Sequence, residues 1–436
     1  MLFYVRRLIT KFAIDRARKI MVDYCSAPGL TPLNIALEQL LADITVTKHV
    51  KQVSLSQACG LVLAEDIKSD LNIPPADNSA MDGYAVRSAD TTDGASLKQV
   101  AKVFAGHPFN GEIQAGECAR IMTGGFIPIG CDAVIMQENT SQLDAESENI
   151  GIIVNQSLRS GENIRKAGED IKVGQTILTT GRRLTPADIG LLASLGCALV
   201  SVYKPLTVAI MSTGDELKHP GDVLQQGQFY ESNGYTVSSL LTKFGVTVIN
   251  YGIIPDDLNV LRKAFTEADQ QADVVITSGG VSVGEADYTK MVLKELGRID
   301  FWKLAIKPGK PFAFGHLPNS YFIGLPGNPV SALVTLHQLG IPMLRKLSGE
   351  LAAPALRLPA IATDAINKSP GRTDFQRGIF SMTDNGELRV SNTGAQGSGI
   401  LRSMSLANCY IILEQNRGAV EAGETVMIEP FDSLMS

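Results

Sequence analysis

Residues 272–288 hold the densest set of groups able to do chemistry. An unbroken apolar run, Val274, Val275 and Ile276, suits a strand buried on both faces of a parallel sheet. Ser278, Gly279, Gly280 and Gly284 belong to the glycine- and serine-rich loop that follows. Asp287 then opens a helical pattern through Lys290, Val292, Leu293 and Leu296. Strand, small-residue loop and helix N-terminus together make an anion site, because glycine lets backbone N–H groups close on the ligand. No Lys-Ser/Thr pair follows Gly284, so the loop is not a Walker A box. Glu285 and Asp287 stand there instead, and carboxylates beside a phosphate cradle fit a hard cation between them and the phosphate oxygens. The same letters also fit an ordinary tight turn with an Asp N-cap.

Two more apolar runs end in carboxylates: residues 206–212 lead to Asp215 and Glu216, and residues 246–254 to Asp256 and Asp257. Stability alone does not call for acids at each strand end, and the set favours a Mg²⁺-assisted phosphoryl or related anion site. Lys303, Lys307 and Lys310 follow in a segment stiffened by Pro308, Gly309 and Pro311. Lysines held by such a turn suit phosphate and oxyanion ligands. Residues 324–331 carry Pro326 and Pro329, with Pro329 suited to the first position of a helix reaching about Leu347, a further anion-facing terminus. Earlier in the chain, Asp82 lies in a turn-rich stretch (73–86), Thr123 in the glycine loop 123–125, and Arg165 and Asp170 in a charged turn (163–171). Each of these also reads as a surface turn.

The positioning elements follow from period and punctuation. Residues 30–44 carry helical spacing, with Thr31 as N-cap and Pro32 at the first helical position. A short strand and helical turn (53–64) come next, then short strands with many Gly and Pro from 67 to 170, a β-rich module. A helix at 186–195 takes Thr185 as N-cap and Gly196 as its stop. From Leu206 strands and helices alternate, which predicts a doubly wound α/β domain with ligands outside the carboxyl ends of its strands. After Gly349 short strands return, with a hairpin turn at 384–387 and a mobile loop at 394–399, predicting a C-terminal β-barrel or sandwich.

Composition sets the limits. A chain of 436 residues is long enough for several domains. Net charge −6 argues against nucleic acid as a partner, and no apolar stretch is long enough to cross a bilayer. Six scattered cysteines without a CxxC pair suit a reduced, cytoplasmic setting. Five dispersed histidines offer no zinc ligand set, so any metal is expected to be oxygen-ligated. The basic first twenty residues read either as a targeting or membrane-surface segment or as sequence upstream of a true start at Met21, and no function is assigned to them.

Six segments in order (78–85, 163–170, 212–217, 278–288, 307–311 and 324–329) resemble the molybdopterin molybdenumtransferases, a family that includes the molybdate-inserting domain of gephyrin. The resemblance runs from about Leu30 to Phe431. It implies a split linker domain (28–69 and 168–203), an inserted β-rich domain (70–167), an α/β molybdopterin-binding domain (204–348) and a C-terminal β-barrel (349–436), behind an extension (1–27) of unknown role. It also implies a homodimer whose active site combines the α/β domain of one chain with the inserted domain of the other. The implied reaction takes adenylylated molybdopterin and molybdate with Mg²⁺ and gives molybdenum cofactor and AMP, with molybdopterin adenylyltransferase as upstream partner.

By position, Asp82, Asp170, Asp256 and Asp287 match the family's essential acids, and Glu216, Lys303, Lys307, Pro326 and Pro329 its other active-site positions. Asp256 and Asp287 are expected to hold Mg²⁺, Lys307 and Lys310 to balance pyrophosphate charge, and Ser278, Gly279, Gly280 and Gly284 to cradle phosphate. Arg165 is expected to bind the anion. The sequence departs from the family at Gly125 and Phe126, which leaves Thr123 less firmly tied to the site. A Mg²⁺-dependent nucleotide hydrolase or adenylyltransferase shares the same rim, and a scaffold that has lost catalysis is the third reading. The inserted and C-terminal β modules favour insertion, and the presence of all four aspartates argues against the scaffold.

Overall fold

The structure, a computed structural model, describes residues 29–143, 150–280, 288–351 and 353–435. The extension at 1–27 and the residues Gly284, Glu285 and Asp287 lie outside the described residues.

Two distant stretches of chain build the first layer. Val50–Ser54 pairs antiparallel with Leu199–Tyr203, and Ile67–Lys68 with Thr176–Leu178. Their apolar faces meet the helix Pro186–Ser194 around Leu63, Leu184, Leu192 and Val202. Thr185 caps that helix in a capping box with Asp188. Between the two stretches hangs a six-stranded sheet, ordered Ala133–Met136, Gly83–Val86, Glu117–Ile121, Ser96–Val103, Gly151–Val154 and Thr140–Gln142. Apolar clusters cover both its faces, one around Val86 and Ile135, the other around Val103 and Ile121.

The α/β region forms a second six-stranded sheet, ordered Thr247–Ile254, Thr207–Thr213, Val274–Ser278, Tyr321–Leu325, Pro311–His316 and Arg298–Lys303. Its first four strands are parallel, so their carboxyl ends share one rim; Pro311–His316 runs against them, and the edge strand Arg298–Lys303, antiparallel to it, runs with them again. Every residue of Val274–Ser278 is buried, as the unbroken apolar run requires. Helices Asn233–Phe244 and Pro329–Thr335 cover one face, and Leu258–Gln271 and Tyr288–Leu296 the other. From Pro329 the helix continues through a π-helical segment, Leu336–Gly340, to Leu347. In the C-terminal region, strands Leu358–Ala362, Thr373–Met382, Leu388–Asn392, Cys409–Leu413 and Thr425–Pro430 close into a five-stranded barrel. The hairpin turn at 384–387 forms as expected, with Gly386 at φ 79°.

Three local expectations are corrected. Thr31 does not cap the first helix, Leu33–Asp43, whose N-cap is Pro32 with no side-chain bond. The backbone of Thr31 is instead bonded to Lys303 and Ala305, at 2.7 Å each, which ties the chain start to the lysine segment. Asp257 is not a rim ligand: its carboxylate accepts the Asn259 and Val260 N–H groups as the cap of Leu258–Gln271. The loop at 394–399 is not free, because Gln396 bonds both the N–H and the carbonyl of Arg377, and Ser398 O accepts from Val330 N.

Candidate functional site

At the shared strand ends lies a cleft of about 1050 Å³. Taking the strands in chain order, its walls include Glu216 after the first (Thr207–Thr213), Asp256 after the second (Thr247–Ile254), Ser278–Gly280 at the end of the third (Val274–Ser278) and residues 326–329 after the fourth (Tyr321–Leu325). This is the place where a doubly wound sheet binds ligands.

The cradle needs its glycines. Gly279 has φ 92°, and a Cβ there would sit 2.6 Å from the Thr213 carbonyl oxygen. Gly280 has φ 66°, and its Cβ would strike the Thr289 side chain at 2.5 Å. A side chain at either would strain the backbone and push the loop off its neighbours. Behind the cradle, the Asn233 amide donates to Ser278 Oγ at 2.6 Å and to the Gly327 carbonyl at 2.8 Å. It thereby clamps the third strand end to the fourth. Buried Glu231 accepts from Ser212 Oγ at 3.0 Å and from Gly234 N at 2.6 Å, fixing the first strand end to the helix start. Neither Asn233 nor Glu231 was singled out in the sequence. The available signal was an acidic and amide pair just before an apolar helix, which reads first as capping.

Carboxylates also line the cleft, Glu216 and Asp256 among them. Burial, then Asp215 and Glu216 in turn, push the Asp256 carboxyl above the usual carboxylate range. Like charges gathered in a half-dried cleft are relieved by a proton or by a cation. Among the described residues no group of three or more His, Cys, Asp or Glu side chains is arranged to hold a metal ion. Asp287, the other expected metal ligand, is outside those residues.

The basic segment runs beside the cleft. Pro311 lines it, as do Pro326 and Pro329, whereas Lys303, Lys307 and Lys310 are not among its lining residues. Lys303 ends the edge strand, and Lys307 Nζ lies 3.7 Å from Asp374 of the barrel. The helix start at Pro329 is only partly open to an anion, since Val330 N is already bonded to Ser398 O at 3.0 Å.

The remaining expected residues gather around the turn-rich stretch that leads into the inserted sheet. The Asp82 carboxylate accepts Thr123 N at 2.7 Å and Thr123 Oγ1 at 2.8 Å. These bonds hold it below the usual carboxylate range, the backbone bond contributing most. Arg165 lies on a two-residue strand paired with Asn78–Ser79. Asp170 is reached through its backbone bond to Ile73 O. One turn-rich stretch, residues 73–83, therefore gathers Asp82, Thr123, Arg165 and Asp170. None of the four lines the cleft of its own chain.

Comparison with known proteins covers nearly the whole chain. Residues 31–196 match the MoeA N-terminal region (domain I and II), 209–346 a probable molybdopterin binding domain, and 359–431 the MoeA C-terminal region (domain IV). The chain is 48% identical to a molybdopterin molybdenumtransferase of Haemophilus influenzae over 404 residues, covering 92% of this chain and 99% of the relative. It is 31% identical over 450 residues to gephyrin of Dictyostelium discoideum, covering 92% of this chain and 62% of gephyrin. The crystal structure of a molybdopterin biosynthesis moeA protein from Pyrococcus horikoshii superposes with a TM-score of 0.78 at 31% identity, covering 92% of this chain and 100% of that one.

Proposed function

Because the chain belongs to the molybdopterin molybdenumtransferase family and so acts in molybdenum cofactor biosynthesis, we propose that its cleft inserts molybdate into adenylylated molybdopterin, releasing AMP. One observation carries the reading. A loop whose close packing requires glycine shares the cleft with a carboxylate, Asp256, whose charge is disfavoured by partial desolvation and by two neighbouring acids. That arrangement suits a pyrophosphate with a hard cation beside it.

The chain's own groups divide the work. Gly279 N is bonded to Leu325 O at 3.1 Å, so the Gly280 N–H and the Ser278 hydroxyl are the groups offered to the phosphate oxygens, and the Asn233 clamp keeps the loop fixed. Asp256 and Glu216 would supply oxygen ligands for Mg²⁺, with Asp287 the further candidate from the sequence. Mg²⁺ held there would supply positive charge beside the pyrophosphate. Lys307 and Lys310 balance charge at the cleft edge, and Pro326, Pro329 and Lys303 shape that edge. Asp82, Thr123, Arg165 and Asp170 come from the turn-rich stretch 73–83 and its neighbours in a second copy of the chain, which accounts for a group fixed together yet absent from its own cleft. The upstream reaction is molybdopterin adenylylation, and its enzyme is the expected partner.

The test is AMP release from adenylylated molybdopterin with Mg²⁺, with and without molybdate. Molybdate-dependent release with formation of active cofactor is expected. Release indifferent to molybdate would give the hydrolase or adenylyltransferase reading, and binding without release the scaffold.

A further inference from the structure

The C-terminal barrel places a carboxylate against the lysine segment. Backbone pairing sets Ile306 opposite Thr373 and Lys307 opposite Asp374, and Thr373 N bonds Ala305 O at 2.8 Å. The Asp374 side chain is 3% exposed and that of Lys307 48%. Asp374 Oδ2 receives Lys307 Nζ at 3.7 Å and a long contact from Gln376 Nε2 at 3.4 Å. Lys368 is the neighbouring cation, but its ammonium bonds the carbonyls of Ser369 and Arg372 at 3.2 and 2.9 Å. Buried Lys368 and Arg377 also feel the Asp374 charge, but Lys307 is the cation within ion-pair distance of it among the described residues.

A buried carboxylate is costly in a barrel strand, and one half-exposed lysine returns little of that cost as stability. The pair makes sense as a means of aiming the ammonium. Two residues on, Gly309 (φ 108°) packs so closely that a Cβ would meet Thr335 Cγ2 at 2.7 Å. The lysine turn is thus pressed against the helix whose first residues line the cleft.

We propose that Asp374 is a positioning residue for Lys307, holding its ammonium at the seam between barrel and cleft so that an incoming oxyanion meets an oriented cation. This rests on the molybdate-insertion reading for its activity readout. A free lysine would lose rotamer freedom on meeting the anion, and a pre-aimed one has already lost it.

The test is a cycle of Lys307→Met, Asp374→Asn and the double variant in molybdate-dependent AMP release by the full chain. Each single variant is expected to lose roughly tenfold or more in kcat/KM, with the double no worse than Lys307→Met. Losses that multiply, or an unchanged or raised kcat/KM in Asp374→Asn, would overturn the proposal. If Asp374→Asn does not fold, the wild type decides. After reductive ¹³C-methylation, the Lys307 methyls, assigned by their absence in Lys307→Arg, should show higher order than those of exposed lysines. Equal order would overturn the proposal. A wild type without molybdate-dependent release removes the insertion reading alone, and the order comparison still stands as the test of positioning.

Discussion

Asp82 and Asp256 are both turn aspartates, one just before a strand and the other just after one, yet the molecule treats them in opposite ways. Asp82 is supplied with two donors from Thr123 and is held ionised. Asp256 is exposed at the cleft beside Asp215 and Glu216, and partial desolvation together with those two charges disfavours its own. A carboxylate already satisfied is a fixed acceptor, ready to orient something that docks against it. One left crowded is a vacancy for positive charge. The inserted sheet therefore presents a finished surface, and the cleft an unfinished one that the ligand completes.

Asp256→Asn should break this contrast most severely. Its kcat/KM is expected to fall roughly 10²–10³-fold, as when a group facing developing charge is removed, and added Mg²⁺ should not restore it. The thermal midpoint of the unliganded variant should match or exceed that of wild type, since a disfavoured charge has gone. The sign follows from linkage. The native state binds the Asp256 proton more tightly than the unfolded chain does, so this group's contribution to stability falls as pH rises through and just above the ordinary carboxylate range. Asp256→Asn should flatten that part of the profile, and a thermal midpoint several degrees lower at neutral pH would refute the crowding.

Asp82→Asn should cost roughly 10–100-fold in kcat/KM through lost orientation, with the Mg²⁺ requirement unchanged. Mixing it with Asp256→Asn chains offers a sharper test. If the two aspartates meet across a dimer, mixed dimers regain activity at one of their two clefts, whereas a single-chain site gives none. Here the linkage sign is reversed: the folded carboxyl titrates low, so its contribution is present above the ordinary carboxylate range and is lost as pH falls below it.

Gly279→Ala separates fold from chemistry. Strain at φ 92° and contact with the Thr213 carbonyl should cost about 1–3 kcal/mol in denaturant unfolding, with activity lost along with the cradle. Thr185→Ala is the smallest perturbation. Losing the capping box should cost about 1 kcal/mol in the same measurement and leave kcat/KM untouched.

Much of this was legible in the residues because local signals and global fold agree. Strand–helix alternation located the α/β sheet, Thr185 and Pro329 located helix starts, and the apolar run at 274–276 located the central strand. The rim of carboxylates followed from topology alone, since parallel strands bring their ends together. What stayed hidden depends on distant pairing. Thr31 looks like a cap until its backbone is claimed by Lys303 and Ala305. Asp257 looks like a ligand until a helix claims its carboxylate. Lys307 and Asp374 meet through a two-residue pairing, which leaves no periodic trace in either segment.

The strand Thr373–Met382 has a consequence for how the protein opens. Its body closes the barrel, while its first residues are bonded to the lysine segment of the α/β region. Opening of the barrel thus breaks bonds belonging to its neighbour, and the two regions share part of their unfolding free energy. The amide of Thr373, donated to Ala305 O, should exchange with solvent hydrogen as slowly as amides deep in the central sheet. The cleft is then bordered by a seam that does not breathe on its own, and its lysine edge stays in place between turnovers.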